Sequence, residues 1–295
     1  MDPTEETAAL AAFTGRRAGG ELERRAALHL TERVHELGRG AELEPFRFHH
    51  RWALAQAVAA ALAVVGGVLS VGAPEIGAAL VAAALVSSTL EALGRPVLAR
   101  LLGVRASQNV SAPPPSGSGR GLLVLAASYD APRASAFARL ADRVGDPWPW
   151  VAAIYVAALL CCLVRVGGVE GDWLTALQLL PTLALLALVP ALVDAELAPV
   201  GDGLGEAAGT ACALALTQQL DGELRHLDVW LVLAGAGAAN RAGMRAWRRR
   251  HRRTLAARPA VTVEVGAPEP GAAAATVASF SELARGLDAA AAQRG

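Results

Sequence analysis

The 295-residue sequence has no lysine, only three cysteines and few aromatic side chains. Every basic side chain is therefore an arginine, and because acidic residues match them in number the formal net charge is zero. A neutral chain has no overall attraction for nucleic acid, so we expect no nucleic-acid partner. Cys161 and Cys162 are adjacent and Cys212 stands alone, a spacing that supports neither a disulfide framework nor a zinc ribbon.

Charge is also scarce, since 18% of the residues are charged and 54% are hydrophobic. A helix needs about 20 apolar residues to cross the hydrocarbon of a bilayer. Four uncharged runs approach or reach this length, two of them with the help of their flanks, and they lie at 52–71, 76–90, 150–164 and 174–193. We expect four transmembrane helices, arranged as hairpins at 51–94 and 149–195, with the lipid bilayer as their partner.

The distribution of arginine predicts the orientation of these spans. Arginines are concentrated before Trp52, in 95–143 and after Leu224, whereas the hairpin tips near Glu75 and Glu170 are acidic. The positive-inside rule then places both termini in the cytoplasm of a cell-membrane protein. Residues 1–20 contain no continuous apolar core, so we expect no signal peptide and a cytoplasmic N-terminus.

The polar segments 1–50, 95–148 and 196–265 contain alternating strand and helix patterns. Apolar or alternating runs predict strands at 41–46, 108–111, 122–127, 229–233 and 260–265. Helical spacing of apolar residues predicts helices at 21–37, 207–220 and 242–253. This alternation predicts one α/β domain with a mainly parallel sheet. Residues 266–295 read as a low-complexity tail with a helix near its end.

The order of these elements resembles the two-zinc aminopeptidase family, which includes glutaminyl-cyclase relatives. The resemblance extends over about 21–265 and includes the segments 122–130, 205–211 and 227–233. It implies a zinc-aminopeptidase-like α/β domain interrupted by the two transmembrane hairpins, as in membrane-embedded bacterial members.

The residues that the family uses for its chemistry are replaced in this chain. The resemblance aligns a zinc-binding His with Ser128, a metal-bridging pair with Gly205-Glu206, and the Glu-Glu base and ligand pair with Gly237-Ala238. Glycine and alanine have no side-chain donor for zinc, and a hydrolase needs a base beside the metal-bound water. The resemblance therefore implies a non-catalytic protein without a metal or other cofactor, in which a vestigial pocket is formed by Ser128, Asp130, Glu206, Gly237 and Glu264.

Two other functions stay open, as does the identity of any protein partner. One is a metallo-aminopeptidase-like hydrolase with relocated site residues. The other is a nucleotide-binding membrane module that uses the segment from Gly235 to Asn240. This segment follows a predicted strand and opens a helix, and Glu264 ends the next strand where a ribose-binding acid would lie. Asn240, however, stands where that fingerprint has its third glycine.

Overall fold

The computed structural model describes residues 1–115, 119–268 and 272–293. Within these ranges the chain contains eleven α-helices, five β-strands and one 3₁₀ turn at Ala99–Leu101. The helices are α1 (Pro3–Ala11), α2 (Glu21–Glu36), α3 (Trp52–Leu69), α4 (Pro74–Ala92), α5 (Ala136–Val144), α6 (Trp148–Val166), α7 (Asp172–Leu197), α8 (Leu204–Leu220), α9 (Ala242–Arg250), α10 (Arg252–Ala257) and α11 (Ala273–Gln293). The strands are β1 (Glu42–Phe48), β2 (Arg105–Ala112), β3 (Gly121–Ser128), β4 (Leu227–Ala234) and β5 (Ala260–Glu264).

The chain packs as two compact units, each assembled from separated segments. The first, called the α/β unit, comprises Met1–Phe48, Arg105–Pro132 and Val200–Gly295. The second, called the helical unit, comprises His49–Val104 and Arg133–Pro199. All five strands belong to the α/β unit, and α3 to α7 belong to the helical unit.

The sheet of the α/β unit has the strand order β1-β2-β4-β3-β5. Strand β3 is parallel to both β4 and β5, whereas β2 is antiparallel to both β1 and β4. The sheet is therefore mixed, and the prediction of a mainly parallel sheet is wrong. The reason is that hydrophobic patterning identifies a strand but not its direction. An antiparallel neighbour such as β2 also needs no crossover helix on the sheet face.

The central strands β3 and β4 are covered on both faces, which explains their nearly continuous apolar sequences. Every residue of β4 is buried, and so are the first seven of β3. Alternate side chains point to opposite faces. Leu123 and Leu125 join a core that includes Leu30 of α2 and Leu214 of α8, while the intervening residues pack near Trp247 of α9.

Strand β1 lies at one edge of the sheet and continues through Pro45 to Phe48, beyond the end predicted at Phe46. Proline lacks an N–H donor, which an edge strand tolerates on its unpaired side.

Helix α11 belongs to the segment read as a low-complexity tail, of which 269–271 and 294–295 lie outside the described residues. Its Ala284 is buried in the same core as β3 and α8. Asp288 fixes it at the start of β4, because Oδ1 accepts hydrogen bonds from the backbone N–H groups of His226 (2.7 Å) and Leu227 (2.8 Å).

The helical unit contains four helices that are long and apolar enough to cross a membrane. They are α3, α4, α6 and α7, with 18, 19, 19 and 26 residues, and an 18-residue stretch of each has a mean hydropathy of 2.0, 1.4, 2.0 and 2.1, respectively. Helix α7 contains Pro181 and Pro190, which transmembrane helices tolerate. The prediction of four apolar helices is confirmed on length and composition, and their location in a membrane stays a prediction.

Candidate functional site

The carboxyl ends of β3 and β4 bring two loops together. The strands are parallel neighbours with Ser128 in register with Ala234, so the segments that follow them leave the sheet at the same edge. The first loop carries Asp130, and the second runs from 235 to 241 before α9 begins. In an open α/β sheet this edge is where ligands usually bind.

Asp130 is fully buried and holds the second loop through both carboxylate oxygens. Its Oδ1 accepts a hydrogen bond from the backbone N–H of Gly237 at 2.6 Å, and its Oδ2 accepts one from Ala238 at 3.1 Å. Burial raises the pKa of Asp130 to about 6, and the nearby charge of Glu206 adds to the rise, although the two N–H groups favour the ionised form.

Glu23 is a second buried acid at this edge. Its Oε1 accepts hydrogen bonds from the backbone N–H of Ala236 (2.8 Å) and the hydroxyl of Ser107 (2.9 Å), and its Oε2 accepts one from Gly19 N–H (2.7 Å). Burial and then the charge of Asp130 raise the pKa of Glu23 to about 7. Three successive backbone N–H groups, at 236, 237 and 238, therefore bind carboxylates that belong to the protein itself.

The close approach of the second loop to Ser128, the last residue of β3, leaves no room for a side chain at Gly237. A Cβ atom built there would lie 2.1 Å from Ser128 Oγ and 2.5 Å from Ser128 Cβ. The resemblance aligns this position with a glutamate of the family's Glu-Glu pair. Ser128 and Gly237 are thus complementary in shape, and a glutamate could not occupy position 237 in this arrangement.

The loop also has an unusual backbone. Ala236, Asn240 and Arg241 have φ angles of 49°, 55° and 53°, in the left-handed region that residues with a Cβ rarely adopt. Such conformations persist where surrounding contacts hold them. For Ala236 the hydrogen bond from its N–H to Glu23 supplies such a contact, and Arg241 N–H donates to Gly237 O (2.9 Å) within the loop.

Arg16 is a buried cation beside the same edge. Its guanidinium donates to four backbone carbonyls: Nε to Tyr129 (2.9 Å), Nη1 to Leu10 (2.6 Å) and Phe13 (3.0 Å), and Nη2 to Gly203 (2.8 Å). Burial lowers the pKa of Arg16, and the charges of Glu206 and Asp130 oppose this effect. Its positive charge therefore partly offsets the buried acids.

The remaining acids of the predicted pocket differ in their relation to this edge. Glu206 lies in the first turn of α8, near enough to influence the pKa values of Asp130 and Arg16. Glu264 ends β5, has a side chain that is 53% exposed, and forms a 3.5 Å ion pair with Arg241. The structure thus brings Ser128, Asp130 and Gly237 into contact, with Glu206 nearby and Glu264 at the exposed end of β5, paired with Arg241 of the second loop.

Glu23 and Arg16 were not among the candidate residues that the sequence suggested. A signal for Glu23 was present, because in α2 it shares its helical face with the buried residues Ala26, Leu30 and Val34. An acid on an apolar helix face is unusual, because a buried carboxylate needs hydrogen-bond donors or a cation beside it. We find no comparable sequence signal for Arg16.

The residues of this edge do not fit a two-zinc centre. Both oxygens of Asp130 are bound by backbone N–H groups, Ser128 lies against Gly237, and Glu264 is exposed and paired with an arginine. Across 1–115, 119–268 and 272–293, no group of three His, Cys, Asp or Glu side chains is arranged to hold a metal ion.

No protein-family model and no curated protein matches the sequence. Among solved structures, the glutaminyl cyclase of Fimbriiglobus ruber aligns with a TM-score of 0.42 and 11% sequence identity, over 89% of this chain and 59% of that one. This chain therefore spans less than two thirds of that enzyme. Glutaminyl cyclases belong to the zinc aminopeptidase-like fold, but a TM-score at this level establishes neither a shared fold nor a shared chemistry.

Proposed function

We propose that the chain is a multi-pass membrane protein whose α/β unit is a degenerate, zinc-peptidase-like domain that binds a partner or ligand and does not catalyse hydrolysis. The four apolar helices support the membrane assignment, and their flanking arginines support cytoplasmic termini. The residues at the carboxyl edge of the sheet support the absence of peptidase chemistry.

One observation carries the non-catalytic part of the proposal. The backbone N–H groups of 236–238 are bound to Glu23 and Asp130, in the loop where the resemblance places the catalytic base. Hydrolysis in a two-metal site requires a metal-bound water and a base positioned to take its proton. Here the same positions supply hydrogen-bond donors to internal acids, which fills the site with the protein's own groups.

Metal analysis and a peptidase assay on the full chain in detergent test this proposal. We expect far less than one zinc per chain. We also expect no chelator-sensitive hydrolysis of aminopeptidase substrates. The Asp130→Ala variant is the control for contaminating peptidases, because contaminant activity would be the same in both preparations. Near-stoichiometric zinc, with activity lost both on chelation and in Asp130→Ala, would establish the relocated-hydrolase alternative instead.

The nucleotide-binding alternative is disfavoured by the same hydrogen bonds. A dinucleotide fingerprint binds pyrophosphate through loop backbone N–H groups and the helix N-terminus that follows. In this chain Ala236, Gly237 and Ala238 already donate to carboxylates. We therefore expect no thermal stabilisation of the protein by NAD or ATP, and a saturable shift with either would revive that function.

A further inference from the structure

A cavity of about 240 Å³ lies beside the edge strand β1. None of its lining residues belongs to the vestigial pocket named above. They come from β1, β2 and α9, and they are Glu44, Pro45, Phe46, Asn109, Ala246 and Arg250.

Glu44 is a buried acid with one unsatisfied oxygen in this cavity wall. Its side chain is only 5% exposed, and its Oε1 lies 2.7 Å from Nε2 of His251. Its Oε2 is buried and accepts no hydrogen bond from any residue that the structure describes. A buried carboxylate oxygen without a donor is costly, so its presence beside a cavity points to a donor supplied from outside the chain.

The environment of His251 fixes this acid in place. The imidazole ring packs against the rings of Trp230 and Trp247, with centroid distances of 4.8 and 5.2 Å. Glu44 is thus held by a histidine that is itself held by two aromatic rings, which is the kind of support that a preorganised binding group requires.

A positive charge stands next to Glu44 in the same cavity. Nε of Arg250 lies 4.0 Å from Glu44 Oε2, within ion-pair range but beyond hydrogen-bond distance, and the Arg250 side chain is 57% exposed. The amide of Asn109 is already engaged within the protein, because Nδ2 donates to Gly243 O (3.0 Å) and Oδ1 accepts from Gly235 N–H (3.2 Å). Glu44 and Arg250 are therefore the two groups of the lining that can recognise charge.

We propose that this cavity binds a small zwitterion, whose ammonium group donates to Glu44 Oε2 and whose carboxylate pairs with Arg250. A ligand with only a positive charge would be repelled by Arg250, and one with only a negative charge would be repelled by Glu44. A ligand with both charges satisfies both groups through charge-assisted hydrogen bonds. The volume is below the usual range of about 300–1,000 Å³ for drug-sized ligands, which favours a compact molecule.

Saturation-transfer NMR and calorimetry on the full chain in detergent test this site, with glycine and β-alanine as zwitterionic probes. The matched single-charge probes are glycine methyl ester and acetate, and acetamide is the neutral probe. We expect at least one zwitterion to bind saturably and at least about tenfold more tightly than the three other probes. Absence of saturable binding by both zwitterions, or equal binding of acetate, the ester or acetamide, would overturn the proposal.

Two substitutions assign the binding to this cavity. Glu44→Gln and Arg250→Gln should each weaken binding of the zwitterion at least about tenfold, the usual size of one lost charge-assisted contact. Glu42→Gln, at an exposed position of the same strand, and Arg249→Gln, at the exposed neighbour on α9, should leave it unchanged. Arg250 is mostly exposed, so its variant should fold even if Glu44→Gln does not. Binding that survives Arg250→Gln would overturn the assignment.

Discussion

Two carboxylates that water does not reach organise the carboxyl edge of the sheet. Glu23 and Asp130 together accept five hydrogen bonds, four from backbone N–H groups and one from a hydroxyl. Three of the backbone donors belong to successive residues of one loop. A concave run of backbone N–H groups is an anion-binding arrangement, and here the anions are side chains of the same chain. At the residue scale, then, these acids serve to hold the loop.

The pH dependence of stability should reveal the buried Glu23. Its pKa in the folded protein is about 7, against an ordinary value of 4.5, so the folded state binds this proton more tightly than the unfolded state. Protonated Glu23 therefore contributes its full stabilisation of the folded state below pH 4.5, and this contribution is lost as the pH rises through 7. Relative to wild type, Glu23→Gln should gain about 2 kcal/mol of unfolding free energy between pH 5 and pH 8.

Thermal unfolding of the full chain in detergent at both pH values measures this gain. Glu21→Gln, at an exposed position on the same helix, is the matched control and should show no such trend. If the unfolding free energy of Glu23→Gln fell relative to that of wild type as the pH rises, the raised pKa of Glu23 would be contradicted.

The complementarity of Gly237 and Ser128 gives a second residue-scale prediction. Gly237→Ala should destabilise the protein by about 1–3 kcal/mol, because its Cβ would lie 2.1 Å from Ser128 Oγ. Gly40→Ala, where a Cβ meets nothing within 4 Å, is the control and should be close to neutral. Adding Ser128→Gly to Gly237→Ala should restore part of the loss. Additive effects of the two changes on the unfolding free energy would show that the contact is absent.

At the scale of elements, the helices of the helical unit share an apolar core and are also joined by buried polar contacts. Nε2 of Gln178 on α7 donates to Gly67 O (2.6 Å) and Ser70 Oγ (2.8 Å) at the end of α3. Its Oε1 accepts from Nε of Arg165 on α6 at 2.9 Å. One amide thus joins three helices, and it shares the buried guanidinium of Arg165 with Thr175, whose Oγ1 accepts from Nη2 at 2.7 Å.

Removing this amide should weaken the association of the helices. We expect Gln178→Leu to lower the free energy of unfolding by about 1–2 kcal/mol, the upper end of measured interhelical hydrogen bonds in membranes, because Nε of Arg165 also loses its acceptor and the guanidinium keeps its bond to Thr175. Unfolding in mixed micelles titrated with dodecyl sulfate measures the change. Leu179→Ala, at the next position and 53% exposed, should cost less. An effect of Leu179→Ala equal to that of Gln178→Leu would argue against the network.

Most individual elements could be predicted from local pattern, and the departures have local causes. All five strands occur within a few residues of the predicted positions. The single helix predicted at 242–253 is divided at His251 into α9 and α10, as this residue's ring packs against Trp230 and Trp247. Helices α1 and α5 were not predicted, since each spans only nine residues.

At the scale of the whole molecule, the proposal of a membrane protein with cytoplasmic termini rests on span length and arginine placement. Reporter fusions after residues 73, 170 and 295 test it, with alkaline phosphatase and green fluorescent protein as the paired reporters. We expect the first two positions to report the outer side and the last to report the cytoplasm, because the hairpin tips are acidic and the flanks are rich in arginine. A periplasmic signal after residue 295 would exclude this topology.

The sequence by itself determined the four apolar helices and the approximate strands, because both depend only on residue type and short-range spacing. Tertiary structure alone decided the mixed direction of the sheet, the docking of α11 on the core and the meeting of Glu23 with the loop at 236–238. Glu23 and Ala236 are 213 residues apart in sequence. No local sequence pattern predicts such a pairing. It forms only in the folded chain, where backbone N–H groups replace water as the hydrogen-bond donors to each buried carboxylate.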